Sequence, residues 1–271
     1  MKQSRFLMCP PTHFDVEYVI NPWMEGQLNA ANTRLASAQW SSFHKLLSDV
    51  ADVALMPPVN GLPDLVFTAN AALVHRDSAV LSSFRHPERQ PESRHYAEWL
   101  TADGFNVRTL PDGIRFEGAG DALIDRGRPL LWFGHGFRSD LAAKPFLERW
   151  TGLEVQPLRL RDSRFYHLDT CFCPLEEGLL IYFPEAFDEA SRSAIESRVP
   201  ADQRFALSDA EAVTFACNAV NIGKTVILNH ASPETAAWLT SRGFDVVPSG
   251  VSEFMKAGGA TKCLSLRLDE A

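Results

Sequence analysis

Apolar residues alternate along this chain between two spacings. Unbroken short runs at Ala122 to Ile124, Leu130 to Phe133 and Leu179 to Tyr182 read as buried strands, with tight turns at Asp125-Arg126-Gly127 and Glu176-Glu177-Gly178. Trp40, Phe43, Leu47 and Val50 stand three and four apart, which predicts a helix within 28–50 with one apolar face. Further helices are expected over 91–102, 140–151 and 186–198. Another opens at Ser232-Pro233-Glu234, where an N-cap, a proline at the first helical position and an early acid coincide, and closes at Gly243. The stretches Gly104 to Val107, Gly152 to Val155 and Gly243 to Val246 each start with a glycine suited to a helix C-cap and continue as a short extended run. The predicted unit is strand, turn, strand, helix, strand.

That unit recurs. Phe67 to Asn70, Phe116 to Asp121, Phe165 to Asp169 and Phe215 to Asn218 each run from an aromatic to Asn or Asp at a spacing of 49 to 50 residues, and an apolar phrase from Thr261 to Leu268 closes the series. One unit cannot bury both its sheet and its helix, so several must pack together. An open α/β sheet accounts for the alternation alone. Five units in a ring also account for the matched phase of Asn70, Asp121, Asp169 and Asn218, which would then surround one cavity. The expected fold is α/β, a fivefold pseudosymmetric propeller of ββαβ-type units around a central cavity, with residues 1–271 as a single domain.

Composition narrows the function classes. A net charge of −8 argues against a nucleic-acid footprint, which needs a basic face. The segment Met1 to Pro10 contains no apolar run long enough for a signal peptide, and no stretch approaches a membrane span. Five cysteines, an odd number scattered through 271 residues, do not suit a secreted disulfide framework and point to a reducing, cytoplasmic setting. The expected partner is a small molecule, with homo-oligomer formation left open.

Cys263 is the leading chemical candidate. It follows Gly258-Gly259, which permits close backbone approach, and is expected to begin an apolar strand. A cysteine in such a strand is ordinarily inert packing. His167 and Glu117 sit at the echo position of two other units, and together the three form a Cys, His and carboxylate constellation. Other signals are weaker. Cys171 and Cys173 resemble half a metal site without a second pair, so no metal is expected. Gly223-Lys224-Thr225 lacks the upstream glycine of a phosphate loop, and His135 reads as a loop histidine. No cofactor is implied.

The phrases Pro63 to Asn70, Phe116 to Asp121, Gly134 to Ser139, Phe165 to Thr170 and Gly258 to Cys263 resemble those of the guanidine-modifying enzymes, the pentein superfamily, across nearly the whole chain. Met8 to Asp15, Asn21 to Met24 and the Gly118-Ala119-Gly120-Asp121 spelling are most similar to the arginine dihydrolase domain of cyanobacterial arginine-catabolising proteins. The resemblance implies a fivefold propeller and a set of roles. Cys263 would attack the guanidinium carbon and form a thiouronium intermediate. His167 would act as general acid and then base. Glu117 would grip the guanidinium nitrogens, aided by Asn70 and Asn21, and Asp121 is also expected among the substrate-binding residues. Arg138 and Arg89 match substrate-carboxylate positions, Arg89 more loosely because Arg85 and Arg94 lie in the same segment; a carboxylate reader would prefer arginine to agmatine.

Many deiminases and dimethylarginine hydrolases carry aspartate where this chain has Asn70. An amide donates as well as accepts, so it suits a ureido carbonyl that a second carboxylate would repel. Arginine dihydrolase, yielding ornithine, CO2 and two NH3, is therefore the expected activity. An arginine deiminase or dimethylarginine dimethylaminohydrolase giving citrulline is the alternative, and a non-catalytic pentein binding protein the alternative of another class. The cyanobacterial proteins continue into a second domain, whereas this sequence stops at Ala271, so ornithine would be expected to leave.

Overall fold

The computed structural model describes residues 4–270; Met1 to Gln3, within the segment read above for targeting, and Ala271 lie outside it. Among the described residues the strands form five separate three-stranded sheets. The chain order explains them. Strands β1 (Arg5–Met8) and β2 (Asp52–Leu55) flank the helix Thr33–Ser48. Then come β3 (Ala72–His75), β4 (Ser78–Leu81), helix Glu92–Ala102 and β5 (Asn106–Arg108). The same sequence follows in β6 (Ala122–Ile124), β7 (Leu130–His135), helix Lys144–Thr151 and β8 (Glu154–Arg159). It recurs in β9 (Phe172–Leu175), β10 (Leu179–Tyr182), helix Glu189–Arg198 and β11 (Arg204–Ala206). A further copy is β12 (Val220–Ile222), β13 (Thr225–Leu228), helix Pro233–Ser241 and β14 (Asp245–Pro248), and β15 (Leu266–Arg267) ends the series.

Each sheet has one pairing rule: the first strand is antiparallel to the second, and the second is parallel to the third across the helix. The fifth sheet obeys it with strands from both chain ends, β15 antiparallel to β1 and β1 parallel to β2. A tight turn suffices for the antiparallel pair, whereas the parallel pair needs a helical crossover. The predicted ββαβ unit is the observed one.

The helices form where the pattern placed them. On Thr33–Ser48 the residues Ala36, Trp40, Phe43 and Leu47 are buried, and burying each large apolar side chain contributes about 1.5–3 kcal/mol. Ser232 caps Pro233–Ser241 through Thr235 N, and Gly152 ends Lys144–Thr151 at φ 71°. Three helix starts differ from expectation, and the one expected at 186 falls at Glu189 because Asp188 caps it through Ser191 N. The first helix starts at Thr33 rather than near 28, because Asn32 caps it and Asn29 takes φ 54°, which no helix accommodates. The expected start at 140 is a 3-10 turn, Leu141–Ala143, and the α-helix proper begins beside Pro145.

The echoed phrases occupy equivalent places. Asn70, Asp121, Asp169 and Asn218 stand in or at the end of tight turns, each three residues or fewer ahead of a sheet's first strand. Hydrogen bonds pass from one turn to the next: Leu168 N donates to Asp121 Oδ1 at 3.0 Å, Asn218 Nδ2 to the Asp169 carbonyl at 3.0 Å, Ala260 N to Asn218 Oδ1 at 3.1 Å, and Ala69 N to the Cys263 carbonyl at 3.1 Å. Ser83 and Phe116 exchange backbone bonds at 2.8 and 3.1 Å between the units that hold Asn70 and Asp121. No described helix is long and apolar enough to cross a membrane.

Candidate active site

Cys263 does not begin a strand. It lies in a turn ahead of β15, because its N–H donates to Asn218 Oδ1 at 3.1 Å and Lys262 N donates to the Asn218 carbonyl at 3.2 Å. With its backbone donor claimed by a side chain, the residue is unavailable to a ladder. The sulfur lines a narrow cleft with Asn21, Asp64, Asn70, Arg89, Arg138 and Tyr166. The space left between these side chains is about 10 Å³, close to that of a single water molecule, so the cleft is nearly filled by its own lining.

Glu117 and His167 meet directly, His167 Nε2 standing 2.7 Å from Glu117 Oε2, and both are buried. Arg138 Nη1 donates to the same carboxylate oxygen at 3.0 Å while its guanidinium lies over the Tyr166 ring. Arg85 N donates to Glu117 Oε1 at 3.1 Å. Burial opposes the charge on Glu117, yet Arg138 and the His167 hydrogen bond hold its carboxyl well below the usual range. Arg138 thus stands at the cleft wall between the open space and the acid, and occupies Glu117 with a guanidinium of the protein's own.

The other expected residues fall into two groups. Asn21, Asn70, Arg89 and Arg138 all line the cleft. Asn21 is fully engaged there, accepting from Trp23 N at 3.0 Å and donating to the Ala257 carbonyl at 3.0 Å, so it braces the loop before the cysteine. Arg89 is the buried arginine of its segment; Arg94 is exposed and pairs loosely with Glu98. It grips Glu92 through two 2.8 Å bonds and donates from Nη1 to Asn70 Oδ1 at 2.9 Å. In this state Arg89 orients Asn70. Asp121 does not line the cleft. Its oxygens accept from Ser139 Oγ at 2.6 Å and Leu168 N at 3.0 Å, and burial pushes its carboxyl up to about 6. It therefore ties down the segment carrying His167 rather than reaching a bound molecule.

Three residues were given no site role from the sequence, although Asn218 stands in the matched phase. Asp64 is a buried carboxylate in the cleft wall whose Oδ2 accepts from Tyr18 at 2.9 Å, and burial pushes its carboxyl up despite Arg89. Among the described residues its Oδ1 and the Asn70 Nδ2 have no hydrogen-bond partner. Its signal was a lone acid inside the apolar run from Leu62 to Phe67. Tyr166 donates to the Gly258 carbonyl at 2.8 Å, and Asn218 donates from Nδ2 to Cys263 Sγ at 3.1 Å; neither contact is visible without the fold. His135 ends β7 away from the cleft.

Gly120 packs the site from behind. A Cβ there would lie 2.4 Å from Asn70 Nδ2 and 3.3 Å from His167 Cγ. Gly120→Ala is expected to cost about 1–3 kcal/mol of stability as an overpacked core and, by displacing both side chains, roughly 100-fold in kcat/KM. Thermal melts and steady-state kinetics measure the two effects; unchanged turnover would contradict the close approach.

No family model matches the chain. Individual proteins do. It is 53% identical over 98% of its length to the bifunctional arginine dihydrolase/ornithine cyclodeaminase AgrE of a Nostoc species, but spans 38% of that protein. The N-terminal domain of ArgZ, described as an arginine dihydrolase from cyanobacteria and crystallised as a cysteine-to-serine variant bound to substrate, superposes with a TM-score of 0.98 at 49% identity, covering 98% of both chains. The N(G),N(G)-dimethylarginine dimethylaminohydrolase of Mycobacterium tuberculosis is 38% identical over 98% of this chain and 86% of its own. Identity of that degree, sustained almost from end to end of both proteins, goes beyond likeness of fold, and the chain belongs to the guanidine-modifying enzymes of the pentein superfamily.

Proposed function

We propose that this protein is an arginine dihydrolase converting arginine to ornithine, CO2 and two NH3 through covalent intermediates on Cys263. The observation that carries the reading is the buried Asn70 amide, whose Nδ2 has no partner among the described residues while its Oδ1 is fixed by Arg89. A donor in that place suits a neutral ureido carbonyl, the group present after the first hydrolysis. The cysteine-to-serine variant of the ArgZ domain holds substrate, which is in keeping with Cys263 as nucleophile.

The residues divide the work. The Cys263 thiolate attacks the guanidinium carbon while Glu117 takes the guanidinium nitrogens, displacing Arg138 toward the substrate carboxylate. Asp64, with a free oxygen beside Arg89 and Arg138, accepts the α-ammonium. His167 protonates the departing nitrogen, which leaves as NH3, and the C–S bond of the resulting thiouronium is broken by water that His167 deprotonates, giving a citrulline-like product. A second attack on the ureido carbon expels the second NH3. Hydrolysis then gives a carbamate that loses CO2 to leave ornithine. The five sheets form the blades of a single propeller with these residues at its centre, a reading supported by the hydrogen bonds linking each turn to the next.

The test is product analysis with arginine as sole substrate. Ornithine with two equivalents of NH3 is expected; citrulline as the sole accumulating product would overturn the dihydrolase in favour of a citrulline-forming hydrolase. Asn70→Asp sharpens it. The carboxylate keeps the Arg89 bond but replaces the unpaired donor with a second negative oxygen, and the citrulline-to-ornithine ratio is expected to rise at least about tenfold, the worth of one hydrogen bond of roughly 1.5 kcal/mol.

A further inference from the structure

Four of the echoed phrases end in Asn or Asp, and the roles above leave Asn218 unused. It is fully buried. The residue opposite it is Cys263, and between them every polar atom of the Asn218 side chain is spent. Oδ1 accepts from Ala260 N and Cys263 N, both at 3.1 Å, while Nδ2 donates to the Asp169 carbonyl at 3.0 Å and to Cys263 Sγ at 3.1 Å. These partners fix the amide's direction. Rotated by half a turn, it would set its NH2 against two N–H donors and its oxygen against a carbonyl. A donor must therefore face the sulfur.

The sulfur has need of one. Its polar surroundings include the Asp169 carboxylate, 3.7 and 3.8 Å away, a negative group that disfavours a second negative charge. Lys262 Nζ lies 3.5 Å from Asp169 and compensates only at a distance. Burial, then Asp169, push the Cys263 thiol well above its ordinary value; the Ala260 backbone N–H, Lys262 and the Asn218 amide, in that order, pull it back.

We propose that Asn218 is a catalytic residue in the strict sense of touching the reacting atom: its Nδ2–H donates to the Cys263 thiolate and stabilises the nucleophilic form, while its Oδ1 sets the turn that presents the sulfur. The proposal rests on Cys263 being the nucleophile. It makes thiolate formation partly a property of the free enzyme, independent of the charge on a bound guanidinium.

Asn218→Asp tests it, because the aspartate retains an oxygen for Ala260 and Cys263 N–H and removes the donor. The readout is the pH dependence of Cys263 alkylation by iodoacetamide without substrate, followed by peptide mass spectrometry, beside steady-state kinetics. A hydrogen bond to a charged group is worth about 1.5–3 kcal/mol, so the alkylation midpoint is expected to rise by about one to two pH units and kcat/KM to fall roughly 10- to 100-fold. A folded variant with an unmoved midpoint would overturn the proposal, whereas failure of the unsubstituted protein to turn over arginine would overturn the functional reading instead. Should the variant not fold, the side-chain amide resonances of Asn218 in the unsubstituted protein supply the second measurement. They are expected to shift with the Cys263 titration, and resonances indifferent to it would overturn the assignment.

Discussion

A Cys263→Ser protein is expected to bind arginine and to lose turnover by a factor on the order of 10^4 or more, the range seen when a covalent nucleophile is removed. The serine oxygen fits the space between Asn218 Nδ2 and Asp169, so the turn held by the Ala260 and Cys263 N–H groups is preserved. What is lost is an ionisable, polarisable atom, because a hydroxyl beside a carboxylate does not ionise near neutrality. Binding should survive, since the groups expected to grip the substrate stand on other turns. Calorimetry with arginine and a mass-spectrometric search for a protein adduct check both halves. Activity retained in the variant, or an adduct on another residue, would remove Cys263 from the mechanism.

The sulfur's position was legible in the sequence only in part. The phase of Asn70, Asp121, Asp169 and Asn218 foretold that tight turns from separate units meet, since a repeat fixes where each polar residue stands relative to its own sheet. The glycine C-caps at Gly104, Gly152 and Gly243 likewise follow from local conformational preference, and all three take positive φ. Residues whose roles depend on contacts distant along the chain were hidden. Nothing local tells that Arg138 folds onto Glu117 or that Asn218 reaches Cys263 across 45 positions. The strand expected at Cys263 failed for the same reason, because a side chain from elsewhere took the backbone N–H that a ladder would have used.

Glu117 is the residue on which stability and chemistry pull together. Its carboxylate is fully buried and is shared by Arg138 at 3.0 Å, His167 at 2.7 Å and Arg85 N at 3.1 Å. Glu117→Gln keeps the shape but leaves the Arg138 charge buried against a neutral amide, a change that costs about 3–5 kcal/mol when one partner of a buried ion pair is removed. Activity is expected to fall by roughly 10^3 or more, because the substrate loses its counter-ion and His167 loses the carboxylate oxygen that orients its ring. The sign of the pH effect follows from the depressed carboxyl. Stability from a group whose folded value lies below its unfolded one is complete above the unfolded value of about 4.3 and drains away as pH falls toward the folded value. The stability gap between the two proteins should accordingly be constant from about pH 5 to neutrality and narrow steadily below about pH 4. Denaturant titrations at pH 7 and pH 3.5 measure it; a gap that widens on acidification would mean that Glu117 enters the folded protein uncharged, and with that the guanidinium would have no fixed anion to meet.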